Sequence, residues 1–368
     1  MDHVEANFLS QTAPDRAPGP VKGRAAWRSS DFTSEADFVQ KLSSTDIEEI
    51  EEAVERTRSL DIHEITKSAF ELQNLADKIA MLRDEIIDGR GFAYLRGLPV
   101  DRYDRETLMR IYWGLSRHIG DPVPQNRNAH MIGHVIDIGT HENDYNKRIT
   151  QTAAELQFHA DTCDVVGLFC LHKAMTGGES MIVSGAAVHD EILARRPDLW
   201  EALHDRYYAD RRGEIPAGRH PWFAIPLFNW HKGALRGYAP LRQYVESAQR
   251  FADVPRLEGI QKEAFDYFLQ VCNDPGFCLK VPFQRGDIQY LNNISVFHSR
   301  TEYRDFPDPS LKRHLLRIWL SLPDGPELPD VFLERWRTIE RGTVRGGVNV
   351  PNLPAPVIPL EAETPAYD

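Results

Sequence analysis

The chain has 368 residues, with 43 Lys plus Arg against 55 Asp plus Glu and a formal net charge of −12. That acidic balance disfavours a general nucleic-acid or anionic-membrane binder, because either partner would be repelled. The length admits one elaborated domain or two, and a chain of this size hides about three-quarters of its unfolded surface.

Cysteines at 163, 170, 272 and 278 make neither a disulfide scaffold nor a Cys-x-x-Cys zinc site, and they suit a reducing compartment. Met1 to Arg28 carries Pro14, Pro18, Pro20 and several charges, but no apolar run long enough for a signal peptide or a membrane span. A cytoplasmic protein without a membrane partner is expected. Residues 1–30 read as a loosely attached arm. Thr45-Asp46-Ile47-Glu48 has the form of a capping box, and Ile47, Ile50 and Val54 follow at helical spacing. Leu72, Leu75, Ile79, Leu82 and Ile86 predict a second helix over 68–88, ended by Gly89.

Gly91–Arg96 reads as a strand, and 104–118 as a helix with Leu108, Ile111, Tyr112 and Leu115 inward. From Gly120 short extended stretches take over. Val135–Ile138 is an expected strand, and the polar run Gly139–Lys147 is read as a surface loop in preference to a lid. Strands follow at Val165–Ala174 and Glu179–Ser184, then helices at Ala186–Arg195 and Pro197–His204, the second opened by Pro197 and Asp198. No period emerges over 207–245. Arg256–Asn273 is helical, with Ile260, Ala264, Phe265, Phe268 and Leu269 on one face.

Strands are then expected at Phe277–Phe283, Asp287–Asn292, Ser295–His298 and Arg313–Leu320. The expected architecture is α+β: a double-stranded β-helix (jelly-roll, cupin-like) core with flanking helices. A single domain over 31–368 is expected, with a helical part at about 40–120, a β-roll at about 121–323 and a C-terminal wrap at 324–368. Nothing recurs along the chain as a repeat.

The stretch Glu155-Leu156-Gln157-Phe158-His159-Ala160-Asp161 carries a His-x-Asp pair. On an extended strand His159 and Asp161 project to one face, with Gln157 and Glu155 behind them. An imidazole and a carboxylate so placed can take adjacent corners of an octahedron. A histidine from a distant strand would complete the 2-His-1-carboxylate triad with open positions found in non-haem Fe(II) oxygenases. Alone, the pair is weak: His-x-Asp is more often a surface loop or a hydrogen-bonded strand end.

Downstream, Gly286-Asp287 leads into an apolar strand, Asn293 precedes His298 by five residues, and Arg313-His314-Leu315-Leu316-Arg317 begins 15 residues after His298. With Phe158-His159-Ala160-Asp161 and Gly177-Gly178-Glu179-Ser180, these motifs resemble those of the TauD/TfdA-type Fe(II)/2-oxoglutarate dioxygenases, in family order across roughly 160–320. The resemblance implies that His159, Asp161 and His298 hold iron and that Arg313 binds the far carboxylate of 2-oxoglutarate, a pairing that suits a guanidinium. Ser180 stands where the family usually has Thr; its hydroxyl can donate to the same carboxylate. Arg317 matches the family's second arginine, on the same strand face as Arg313, and is expected to hold an anionic group of the substrate.

The activity so implied consumes Fe(II)-bound 2-oxoglutarate and O2, releases succinate and CO2, and most often hydroxylates a C–H bond. Glu155, on the His159 face of a regular strand, is the candidate partner for a substrate ammonium group; the plain alternative is an exposed residue or a partner of Arg148. A small-molecule substrate is expected, and a homo-oligomer is compatible with the sequence. Singly, His298 reads as a core histidine and Arg317 as a surface charge, but two arginines on one face of an apolar strand need anionic partners. His314 is expected to be structural and Asn292 and Asn293 to serve a turn, while His134, His172 and His231 receive no role. Two other classes fit less well. A zinc hydrolase leaves Arg313 and Ser180 without a task, and a non-catalytic β-roll that binds a small acid does not need the triad.

Overall fold

The computed structural model describes residues 19–139 and 152–362. Most of the polar run 139–147, together with Arg148 and residues 1–18 of the arm, lies outside these limits. Two β-sheets occupy the centre. In the larger the strands run Val39–Lys41, Phe92–Arg96, Ile288–Asn292, Val165–His172, His314–Ser321 and Asp121–Val123, with Ile132–Val135 also paired to His314–Ser321. All these neighbours are antiparallel except the first pair. The smaller sheet runs Leu279–Val281, Ser180–Ser184, Val296–Arg300 and Leu156–His159, antiparallel throughout.

Side-chain alternation along these strands creates the layers. Leu315 and Trp319 of the larger sheet share a buried cluster with Ile182 and Val296 of the smaller, which places the two sheets face to face. Leu316, Ile318 and Leu320 point the other way, onto the helices Ser44–Arg56, Asn74–Ile87 and Arg105–Arg117. Phe158, Val183 and Phe297 leave the smaller sheet on its outer side and pack with Gly185–Arg195, Pro197–Ala202 and Gly259–Asn273. The result is helix, sheet, sheet, helix.

Several element ends differ from the sequence reading for local reasons. The first helix starts earlier than Thr45: Ser43 is the N-cap, Asp46 closes its capping box, and Ser43 N–H donates to Asp46 Oδ2 at 2.7 Å. The second helix begins at Asn74 because a carboxylate of the first helix caps it. Glu49 accepts the N–H groups of Gln73, Asn74 and Leu75, which a helix cannot satisfy internally. The strand expected at 135–138 lies at Ile132–Val135. Ile260, expected on a buried face, is 51% exposed.

Residues 19–30 are not loose. Trp27 is buried and donates to the Arg90 carbonyl at 2.7 Å, and Val21 N–H donates to Asp190. The aperiodic segment 207–245 resolves into two short hairpins, Tyr207–Asp210 with Trp222–Ile225 and Phe228–His231 with Ala234–Gly237, followed by the helix Arg242–Ala248. The expected C-terminal surface wrap contributes to the interior: Phe332, Trp336 and Arg345 are buried, and Arg345 pairs with Asp164 at 2.9 Å. The Gly286-Asp287 turn is structural as well. Gly286 has φ +87° and a Cβ there would strike the Leu98 carbonyl, while Asp287 takes two 2.8 Å hydrogen bonds from Arg96.

A half-buried contact ties the C-terminal segment to the larger sheet. Nδ1 of His134 faces Nε2 of His314 at 2.7 Å, and Nε2 of His134 reaches the Pro359 carbonyl at 2.9 Å. Because a carbonyl only accepts, His134 carries its hydrogen on Nε2 and accepts from His314 on Nδ1. Burial, reinforced by Arg105, pushes His314 down to about 2, and burial lowers His134. Both rings are thus neutral in the folded chain, whereas unfolded histidines protonate near pH 6.5. The unfolded state then binds more protons below that pH, so stability should be full above it and fall as pH drops. We expect the unfolding free energy from urea titration to decline between pH 7 and 5 by roughly 1 kcal/mol per histidine per pH unit, with a shallower decline in His134→Gln; a flat profile would contradict the assignment.

Candidate active site

His159 ends the strand Leu156–His159, and antiparallel pairing sets it directly opposite His298 in Val296–Arg300. Opposed residues share a face, and the two rings lie 4.2 Å apart between centroids. The regular strand does not extend to Asp161. Instead Ala160 N–H donates to the Ala239 carbonyl at 2.9 Å, and Asp161 follows with its own N–H held by Asn293 Oδ1 at 3.1 Å. Asn293 therefore positions the site rather than serving only a turn, while Asn292 Oδ1 does accept Ile294 N–H at 3.0 Å, as a turn asparagine should. Asp161 Oδ2 sits 3.8 Å from His298 Nε2. One potential ligand atom from each of the three residues lies within 4.8 Å of the others.

The protonation states suit a metal. His159 Nδ1 is 2.9 Å from the Gln157 carbonyl, so Nδ1 carries the hydrogen and Nε2 keeps its lone pair. Burial pushes His159 below its ordinary range and His298 down to about 3, the adjacent His159 ring adding to the second shift. Neutral imidazoles are the ligating form. Asp161 Oδ2 accepts the indole N–H of Trp319 at 3.0 Å and faces Arg317 Nη1 at 3.4 Å. Both contacts fix the orientation of its side chain.

Arg313 precedes the strand His314–Ser321 and turns inward, 4% exposed. Its Nη2 donates to the Gly178 carbonyl at 3.3 Å, and its buried Nη1 has no partner among the described residues. A buried guanidinium with an unused donor can accommodate an oxyanion. Ser180 is also buried on the inner face, its Oγ 3.0 Å from Gln289 Nε2, which also donates to Tyr94 Oη. Arg317 donates from Nε to Gln125 Oε1 at 2.9 Å, besides facing Asp161. Glu155 differs from the other candidates. The strand starts at Leu156, so the same-face argument does not reach it, and its side chain is exposed. His314 is structural, as expected, and His134, which had received no role, is its partner.

Three contributors were missed in the sequence. Trp319 falls on the Arg313, Arg317 face by simple alternation, and that parity was a usable signal. Asn293 stood in the motif that leads to His298, but its hold on Asp161 gave no local signal, and Gln125 gave none at all, because each acts through a contact more than 100 residues away along the chain.

Residues 37–319 match the sequence profile of a family described as taurine catabolism dioxygenase TauD, TfdA family. The chain belongs to the TauD/TfdA family. Among its relatives, FR-33289 synthase of Streptomyces rubellomurinus is 27% identical over 323 residues, covering 86% of this chain and 95% of that protein. Taurine hydroxylase-like protein SAT17 of Stachybotrys chartarum is 29% identical over 311 residues, covering 82% and 79%. Among solved structures, asparagine oxygenase in complex with Fe(II), 2S,3S-3-hydroxyasparagine and succinate has a TM-score of 0.60 at 17% identity, over 77% of this chain and 93% of that one. The non-heme iron oxygenase OrfP in complex with Fe and alpha-ketoglutaric acid has a TM-score of 0.55 at 15% identity, over 77% and 93%. At these identities the structures show a shared TauD-type fold of mixed helices and sheets.

The Trp319 contact can be tested apart from turnover. Trp319→Phe keeps the ring bulk and removes the donor to Asp161, so we expect divalent-metal affinity to fall by about tenfold or more, read by Co(II) titration in absorption. An unchanged affinity in a folded variant would assign the indole to packing alone.

Proposed function

We propose that this TauD/TfdA dioxygenase uses Fe(II), 2-oxoglutarate and O2 to hydroxylate an unactivated C–H bond of a small anionic, amino-acid-like substrate, releasing succinate and CO2. The observation that carries the reading is the convergence of two neutral imidazoles and one carboxylate within 4.8 Å, together with a buried Arg313, just ahead of the strand that carries Arg317, whose guanidinium has an unused donor. The same reading takes residues 31–368 as one catalytic domain and the two facing sheets as a double-stranded β-helix, or jelly roll.

In this assignment His159, Asp161 and His298 would hold iron, and a set of only three protein ligands would leave it able to take the co-substrate and O2. Iron supplies the oxidising chemistry once 2-oxoglutarate and O2 are bound. The chain's own groups do the placing. Arg313 takes the far carboxylate of 2-oxoglutarate, with the Ser180 hydroxyl as a second donor. Arg317 orients Asp161 and presents its remaining N–H groups to an anion of the substrate. The sheet walls around them, with Leu315, Trp319, Ile182 and Val296, exclude water from the reacting bond.

The substrate class rests on Arg317, and it agrees with what the solved relatives hold: hydroxyasparagine in asparagine oxygenase and hydroxyarginine in OrfP. Glu155, exposed in water, can offer an ammonium group only a weak ion pair, so the amino group needs another partner. A zinc hydrolase would leave the buried Arg313 without an anion, and zinc favours a tetrahedral site over an open triangular face.

The deciding measurement is an anaerobic titration with Fe(II) and 2-oxoglutarate, following the weak visible charge-transfer band of the chelate. We expect a band in the parent, none in His298→Ala, and a half-saturation raised by about tenfold or more in Arg313→Ala. Iron binding without a band would refute the 2-oxoglutarate reading. Amino-acid candidates that perturb the band in the parent but not in Arg317→Gln would identify the substrate anion contact.

A further inference from the structure

A second buried guanidinium lies at the far end of this site. Arg300 follows His298 by two residues on the same strand and so projects to the same inner face. Its direct cross-strand partner is Ser180, placed above beside the co-substrate carboxylate. Arg300 is only 4% exposed. Its Nη2 donates to the carbonyls of Thr152 at 3.0 Å and of Ala154. Its Nε and Nη1 are buried and have no hydrogen-bond partner among the described residues.

Arg300 and Arg313 share one aromatic ring. Their guanidinium carbons lie 4.7 Å and 5.1 Å from the centroid of Tyr303. Space for this arrangement comes from Gly178: at φ +75°, a Cβ there would meet Arg313 Nε at 2.8 Å and Tyr303 Cβ at 3.3 Å. Neither guanidinium forms an ion pair with a carboxylate among the described residues, and together they leave three buried nitrogens without a partner. Two desolvated cations packed on one ring destabilise each other unless an anion joins them, and Arg313 does act against the charge of Arg300. An aromatic face lowers that cost but does not neutralise the charge.

We propose that Arg300 is a second cation of the co-substrate pocket, acting with Arg313 on the far carboxylate of 2-oxoglutarate and so setting the preference for a dicarboxylic over a monocarboxylic 2-oxo acid. The proposal rests on the reading that the site binds 2-oxoglutarate. It predicts a selective defect, because 2-oxopentanoate has the same chelating end and lacks only the anion that Arg300 would face.

The test titrates Fe(II)-loaded full-length protein under argon with 2-oxoglutarate and with 2-oxopentanoate, following the chelate band. Arg300→Gln should raise the half-saturation for 2-oxoglutarate by about tenfold or more and leave that for 2-oxopentanoate within about twofold. Arg300→Lys keeps a charge without the planar fork and should show a smaller loss, again confined to the dicarboxylate; it keeps the measurement available if the Gln variant fails to fold. Equal weakening of both acids would overturn the proposal by showing that Arg300 only supports the sheet, and so would unchanged 2-oxoglutarate binding. No band with either acid in the parent would remove the 2-oxoglutarate reading itself, and this inference with it.

Discussion

The antiparallel register that places His159 against His298 is the constraint from which the site follows. In a sheet a slip of one residue moves every side chain to the opposite face. Here such a slip in either strand would turn its imidazole out of the interior and bring its neighbouring phenylalanine, Phe158 or Phe297, in from the layer it now packs against. The packing of Phe158, Val183 and Phe297 on the outer helices thus enforces the inward direction of the two histidines. Asp161 needs separate provision, because it lies beyond the strand. Asn293 holds its backbone and Trp319 and Arg317 hold its carboxylate, so the third corner is built from the larger sheet while the first two come from the smaller.

Charge gives the interior its second organising principle. Arg96 with Asp287, and Arg345 with Asp164, are buried cations matched by carboxylates of the chain. Arg313 and Arg300 are not so matched among the described residues. Burying a guanidinium without a partner costs far more than leaving it in water, and folded chains seldom tolerate the cost without a reason. Arg96 and Arg345 thus stabilise the fold through carboxylates of the chain, and the proposed roles of Arg313 and Arg300 would supply their charge with a ligand's anion instead.

The sequence disclosed the site more completely than its surroundings. His159, Asp161, His298, Arg313 and Arg317 stand in local motifs; the structure clusters His159, Asp161, His298 and Arg317 and buries Arg313 against Gly178 and Tyr303. Most helices and strands were also legible, since amphipathic spacing survives in residues such as Leu108, Ile111 and Leu115. What stayed hidden depends on distant contacts. The Glu49 cap on the second helix, the Asn293 hold on Asp161 and the Gln125 contact to Arg317 join segments that no local pattern connects. The hairpins within 207–245 escaped for a different reason: their strands are four residues long, too short for alternation to stand out. Glu155 shows the converse, a motif neighbour carried along by an assumption of regularity that fails at the strand start.

The strand His314–Ser321 serves two masters. Alternate residues line the site, and those between them anchor the helical layer through Leu316, Ile318 and Leu320. Substitution on either face can be absorbed one position at a time, but a single inserted or deleted residue would exchange the two faces and ruin chemistry and core together. Change in this segment is thereby confined to replacement at constant length, and diversification by insertion or deletion is left to the loops at the sheet ends.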